Sequence, residues 1–462
     1  MSDMNRFDVV VVGARCAGSP LATMLARRGF SVCLLDRAQF PSETPSTHMI
    51  QPCGVEILDR LGVLNAILAA GAVPLDRITL VVNEDVRIET ATEGTFAQPV
   101  LCVRRVTLDA LLLEAAREAG ADVRTGSRVT QLVMDDGRVA GVETDDGPLH
   151  ARLVVGADGR HSTVASLVGA SEYHVSPPGR MAAWAYFDGV ADREGRARLG
   201  RIGELAYLAG PTDGDLYMAA LTTSFANQAA FHADRDANFT AGIRAWPELA
   251  EVIGDGRRVG PIRVLTKWHG YFRQSAGPGW VLVGDAGHFK DPTPGQGISD
   301  AFRQAEQLAA AIEDGLGNTS LESATQRWWR WRDKDAYEMY WFASDMGEPG
   351  VPSPLNARLL RDIAVDSEAT RTFFRVLNHE IRPSELLTTP RLARTAARAL
   401  RDRPDQMVAT LKEIITAGRR NARRARRRRV SPPGMTGAEL AFARTRLDLD
   451  EKHIDGRVPQ WP

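Results

Sequence analysis

Residues 7–36, FDVVVVGARCAGSPLATMLARRGFSVCLLD, restrict what this chain can become more than any other stretch. A β-branched run from Val9 to Val12 stops at Gly13. An Ala/Leu-rich helical pattern from Ala17 to Arg28 then ends at Gly29, and a second apolar run, Ser31 to Leu35, closes on Asp36. Strand, tight turn, helix, strand and acid in that order make a dinucleotide-binding βαβ unit. Small residues at Gly13, Ala14, Ala17 and Gly18 let the backbone approach a pyrophosphate at the positive helix end, where unpaired N–H groups point outward. Asp36 is then placed to accept ribose hydroxyls and to repel a 2′-phosphate. The middle glycine of the usual G-x-G-x-x-G is Arg15 here, so context identifies the unit rather than the short motif.

The length of 462 residues allows two or three domains and a large core. A formal charge of −1 excludes a chain that is basic throughout. Cys16, Cys33, Cys53 and Cys102 are too scattered for a zinc pattern or a C-x-x-C pair, which points to free thiols, no metal site and a cytoplasmic location. No run of eighteen apolar residues occurs, so no membrane span is expected.

Along the chain, residues 37–52 read as a loop, 54–61 and 63–70 as helices, and 77–82 and 87–89 as short strands. A helix follows over 108–119 with Thr107 as its N-cap. Strands at 122–125, 128–134, 138–144 and 149–155 then lead to Gly156-Ala157-Asp158-Gly159. Residues 176–269 alternate apolar and polar residues and predict a mostly antiparallel second sheet with a helix over 229–245. Trp184, Tyr186, Tyr207 and Tyr217 are its candidates for lining an apolar substrate pocket, with core packing the default for each. A strand at 279–283, a Gly/Pro-rich turn at 284–297 and a helix over 298–312 return to the first pattern. The aromatic helix over 321–342 is expected to pack on the body of the protein. Eight arginines within 419–429 read as a solvated helical face or a disordered tail, and no nucleic-acid module accompanies them.

Three stretches stand together: Gly13–Asp36, Val155–Ser162 (VGADGRHS) and Gly284–Gly297 (GDAGHFKDPTPGQG). With them the chain resembles the class A flavoprotein monooxygenases of the p-hydroxybenzoate hydroxylase type over about residues 5–320. The resemblance implies an α/β fold: a Rossmann-like FAD-binding domain (1–80, 99–175 and 270–345), an inserted, mostly antiparallel substrate sheet (81–98 and 176–269), and a helical C-terminal region (346–462). It also implies FAD held by Gly13, Arg15, Ala17, Gly18, Asp36, Arg37, Arg105, Asp158, Gly284, Asp285, Pro292, Gly295, Gln296, Gly297 and Ile298. NADPH or NADH is the implied electron donor. Departures from the family pattern are Ala165 where an arginine is common, and Ser299 and Gln304 where Asn and Asp are common.

The implied reaction inserts one oxygen atom from O₂ into an apolar aromatic or polycyclic substrate through a flavin C4a-hydroperoxide, while the protein excludes water and orients the substrate. Pro292 would run past the reacting edge of the flavin, and His48 and His288 are the candidates for proton handling. A reductase of the geranylgeranyl-reductase type is the alternative on the same framework. A flavin halogenase is disfavoured, because Trp329-Arg330-Trp331 lacks the Ile-Pro ending of the W-x-W-x-I-P signature. The C-terminal helices are left open between capping the pocket and forming a homodimer.

Overall fold

Val9 to Val12 are buried without interruption because both faces of their sheet are covered. Val9 and Val11 face helices, in one core with Leu21, Leu25 and Leu308. Val10 and Val12 face the opposite way, toward Val142 and Leu149 of an antiparallel hairpin. A central parallel strand covered on both sides reads as one apolar run rather than an alternation. The computed structural model describes residues 5–83 and 85–429. In it the strands Trp280–Leu282, Gly147–Gly156, Arg6–Val12, Val32–Asp36 and Asp122–Thr125 lie side by side, all parallel. The helices Gly18–Arg27, Arg105–Glu118 and Gly297–Gly317 pack on one face. This is the parallel sheet expected around the βαβ unit of residues 7–36.

Two helix boundaries differ from expectation. The helix expected from 108 begins at Arg105, and Thr107 is not its cap: Arg104 takes the extended cap conformation. The capping oxygens come from far along the chain. Asp213 accepts the backbone N–H of Arg104 at 2.7 Å and the Thr107 hydroxyl at 2.6 Å. The last helix of the domain does not stop near Asp314-Gly315 but runs to Gly317. The bare Gly315 lets the next helix, Leu321–Met346, lie against it; a Cβ there would sit 3.0 Å from Leu321 and Ala324.

The second sheet has seven strands in the order Arg257–Leu265, Arg180–Asp188, Tyr217–Ser224, Leu205–Pro211, Arg196–Ile202, Arg77–Val82 and Val86–Ala91. It is antiparallel except where Arg196–Ile202 meets Arg77–Val82. The expected domain boundary at residue 80 therefore falls inside a strand, and the whole hairpin 77–91 belongs to this sheet. Arg196–Ile202 and Arg257–Leu265 escape a reading of the sequence because arginines interrupt their apolar alternation; Arg198 is buried by pairing with Asp192. The helix expected over 229–245 breaks at Asp234, whose side chain accepts the Ala237 N–H at 3.0 Å and starts a new helix, Arg235–Arg244.

The C-terminal helices Pro354–Ala364 and Ser367–Leu377 lie on the second sheet, with Ile363, Phe373 and Phe374 in one core with Ile78, Val86 and Ile88. The arginine run belongs to the helix Met407–Arg429, which is docked by one side rather than fully solvated. Arg424 pairs with Asp345 at 2.7 Å over the Trp341 ring, and Arg428 pairs with Glu338 at 2.9 Å. The expected C-terminal region extends past 429 to 462, outside the described residues. Among the described residues no helix is long and apolar enough to cross a membrane.

Candidate functional site

At the first βα turn, Gly13 has φ +104° and lies so close to the end of the neighbouring strand that a Cβ would be 2.5 Å from the Ala157 carbonyl. A Cβ at Gly18 would be 1.8 Å from the Gly13 carbonyl, so the helix can start there only without a side chain. Asp36 accepts the N–H of Ala14 at 2.9 Å and of Ala38 at 2.8 Å, which places its carboxylate at the mouth of the turn. Gly284, with φ +61°, brings the third motif against Ala17; a Cβ on it would be 2.9 Å from the Ala17 methyl.

One buried carboxylate organises the cations of this turn. Asp109 accepts from Arg15 at 2.7 Å and from Arg105 at 2.9 Å. Arg15 also donates to the Ser42 hydroxyl at 2.9 Å and lies 5.3 Å from the Phe40 ring centroid. Asp109 was not among the site residues expected from sequence. Its spacing of one turn from Arg105 was the available signal.

A second buried carboxylate organises the third motif. Asp300 pairs with Lys290 at 2.6 Å and with His379 Nδ1 at 2.8 Å. Burial pushes its acid up, yet Lys290 and His379 hold it well below the ordinary carboxylate range. Lys290 also donates to Gln296 Oε1 at 2.6 Å, while Gln296 Nε2 donates to the Leu377 carbonyl at 2.8 Å. The turn 290–297 is thereby tied to the end of the C-terminal helix Ser367–Leu377. Gln51 closes the other side, donating from Nε2 to the Pro294 carbonyl at 3.2 Å and from its backbone to Ser299 Oγ at 2.9 Å. None of Lys290, Asp300, His379 and Gln51 was singled out by sequence; His379 lies 79 residues from its carboxylate.

Between this turn, the second sheet and the C-terminal helix lies a small apolar cleft, open in part to solvent. Its walls are Met49, Ile78, Val100, Leu199 and Leu208, with Phe96 and Phe374, and its floor is Thr293, Pro294 and Gly295.

The FAD binding domain family matches residues 6–328. The chain belongs to that family. Over 328 residues it is 29% identical to 6-methylpretetramide 4-monooxygenase of Streptomyces rimosus, an alignment covering 68% of this chain and 77% of that protein. It is also 29% identical to rifampicin monooxygenase of Rhodococcus hoagii over 66% of this chain. There it spans 64% of the relative, just under two thirds of its length. Among solved structures, the myxobacterial chondrochloren halogenase shares the fold with a TM-score of 0.67 at 22% identity, over 86% of this chain and 97% of that one. The likeness to the p-hydroxybenzoate hydroxylase class holds, and the chain is an FAD-dependent oxidoreductase.

In this FAD-binding chain the expected site residues separate into groups. Gly13, Arg15, Ala17, Gly18, Asp36 and Arg105 gather at the first turn with Gly284. Gly295 lies on the cleft floor, Pro292 and Gln296 belong to the same turn, and Gly297 and Ile298 start the helix behind it. Pro292 shapes this turn, its carbonyl accepting the Gly295 N–H at 2.9 Å. A Cβ on Gly297 would meet nothing within 4 Å, so the helix N-terminus opens onto free space. Asp285 lies between the groups with no donor on its carboxylate among the described residues; burial pushes it up to about 6 against the pull of Arg160 and Arg105. Asp158 is differently engaged: it accepts the Ser162 hydroxyl at 2.5 Å and the Thr163 N–H at 2.6 Å, capping the helix Thr163–Leu167. Arg37 is at the surface. Ser299 and Gln304 have structural partners, Gln304 accepting the Gly284 N–H at 3.1 Å.

Strand alternation divides the four aromatic candidates. Trp184 and Tyr186 point to the C-terminal side of the second sheet, whereas Tyr207 and Tyr217 point away, into the core beneath the helices Arg235–Arg244 and Pro247–Ile253. Tyr207 donates to the Gly242 carbonyl at 2.8 Å, and Tyr217 meets Arg198, so neither faces the cleft. Trp184 and Tyr186 do not line it either. They hold His48, whose Nε2 is 2.7 Å from the Tyr186 hydroxyl and whose Nδ1 is buried with no side-chain partner among the described residues. Burial pushes His48 down to about 3, with Arg105 adding to the shift, so it is neutral at physiological pH. His288 packs behind the turn against Phe272, at 4.4 Å between centroids, and Tyr340. It is away from the cleft walls and is corrected to a core residue.

Proposed function

We propose that this chain is an NADH- or NADPH-dependent monooxygenase that inserts one oxygen atom from O₂ into an apolar aromatic or polycyclic substrate. The observation that carries the reading is the apolar cleft whose floor, Thr293 to Gly295, is also the turn that opens the helix Gly297–Gly317. FAD would lie along the line from Asp36 through the Gly13–Gly18 turn, past Arg105 and Asp285, to Gly297. The close-packed glycines, the donor-free carboxylate of Asp285 and the open space at Gly297 all fit such a group. When bound, FAD stores electrons and activates oxygen.

The protein's share is positional. The N–H groups at Gly297 and Ile298 present the positive end of a 21-residue helix to the cofactor. Met49, Ile78, Leu199 and Phe374 exclude water and hold an apolar substrate against the floor. His48, neutral and buried, is the candidate to relay a proton next to the wall residue Met49, with Tyr186 fixing its ring.

The test follows flavin reduction and oxygen uptake in the purified holoprotein, with NADH and NADPH, across phenols, quinones, polyketides and isoprenoids. Recovery of a product carrying one atom from labelled O₂ supports the reading; a protein that retains no FAD overturns it. The aliphatic walls Ile78, Val100, Leu199 and Leu208 favour one second reading, reduction of an isoprenoid double bond. Turnover that adds hydrogen and no oxygen would establish it in place of the first.

A further inference from the structure

We propose that the outward side of the helix Met407–Arg429 docks on an anionic lipid bilayer surface. Two independent features of that side lead there. Of the nine large apolar side chains exposed among the described residues, four fall within nine positions: Met407 (48% exposed), Val408 (64%), Leu411 (42%) and Ile415 (52%). At 100° per residue they share one sector of the helix. Arg426 falls in that sector toward the C-terminus and Arg419 lies at its edge, both exposed and without an ion pair among the described residues.

The inward side accounts for the remaining polar groups. Arg420, Arg424 and Arg428 reach the acids Asp345, Glu348 and Glu338 on the helix Leu321–Met346. Glu413 is turned in as well, pairing with Ser353 and accepting the Leu355 N–H at 3.2 Å. The outward sector therefore carries apolar and cationic side chains and no acid among the described residues.

That combination selects its occupant. A nucleic acid would use the arginines but leaves Leu411 and Ile415 in water. A second copy would bring two clusters of like charge together. An anionic bilayer takes both, with the apolar stripe entering the boundary between headgroups and chains and the guanidinium groups pairing with lipid phosphates. The helix lies in the plane of the surface, consistent with the absence of a spanning helix among the described residues.

The experiment is co-flotation of the full-length holoprotein with vesicles of phosphatidylcholine alone or with 30% phosphatidylglycerol. Binding to the anionic vesicles, absent with neutral ones and weakened by raised salt, is expected. Leu411→Glu/Ile415→Glu and Arg419→Glu/Arg426→Glu are each expected to lower partitioning by roughly tenfold or more, with FAD content and thermal midpoint unchanged. No partitioning of the full chain onto anionic vesicles overturns the proposal. So does duplex DNA binding that displaces the vesicles and ignores the Leu411/Ile415 change, or self-association that the same change abolishes without affecting flotation.

Discussion

Two buried carboxylates organise two parts of the site, and each holds two basic side chains. Asp109 holds Arg15 and Arg105 at the nucleotide end; Asp300 holds Lys290 and His379 at the floor. They differ in what they join and in how far water reaches them. Asp109 and Arg105 lie one turn apart on one helix, and Arg15 remains 24% exposed. Asp300 links the third motif to the C-terminal helices, and both its basic partners are below 10% exposure. Similar chemistry thus serves local organisation in one place and long-range closure in the other.

The comparison is broken most severely at Asp300. Asp300→Asn leaves Lys290 buried without a counter-charge and is expected to cost about 3–5 kcal/mol, read from urea unfolding of the FAD-free protein. Because Asp300 is held below the ordinary carboxylate range, its contribution is complete above that range and is lost only in strong acid, so the deficit should be flat from pH 5 to 8. Asp109→Asn should cost less, about 1.5–3 kcal/mol, since Arg15 can turn to solvent; its larger effect should be on FAD retention after gel filtration. An equal cost for the two would mean that exposure of the partners does not govern these clusters.

Asp285 sharpens the contrast because its carboxylate has no donor among the described residues. Its value is raised from 3.8 to about 6, so the folded protein binds more protons than the unfolded chain in that interval and loses stability as pH rises through it. Asp285→Asn should therefore stabilise the FAD-free protein at pH 7 by on the order of 1–2 kcal/mol, a gain that shrinks toward pH 4, while weakening FAD retention. Thermal midpoints across pH with and without added FAD separate the two effects. The smallest change is expected at the exposed pair of the same chemistry, Arg428 with Glu338: Arg428→Gln should cost below about 1 kcal/mol in the same unfolding assay.

Sequence reading succeeded where the information is local. The β-branched run, the turn glycines and Asp36 sit within thirty residues, and each follows from backbone sterics and periodicity. The aromatic strand Arg180–Asp188 was also visible, but not which of its neighbours' tyrosines share a face with it. The registers that put Tyr207 and Tyr217 on the far face are set by pairing partners absent from any short window. The Lys290–Asp300–His379 cluster was invisible because its parts meet only after the C-terminal helices close over the third motif. Thr107 misled for the same reason, as a good local cap displaced by a distant one.

That distant cap carries a consequence for synthesis. Asp213 follows Arg104 by 109 residues. At roughly 5–20 residues per second on the ribosome, the helix Arg105–Glu118 waits for about 5–20 s before the side chain that closes its first turn has been made. During that interval its apolar face, Leu108, Leu112 and Leu113, relies on the first helix and strands for shelter. The nucleotide unit at the start of the chain is thus completed by the inserted sheet, and the two should mature together.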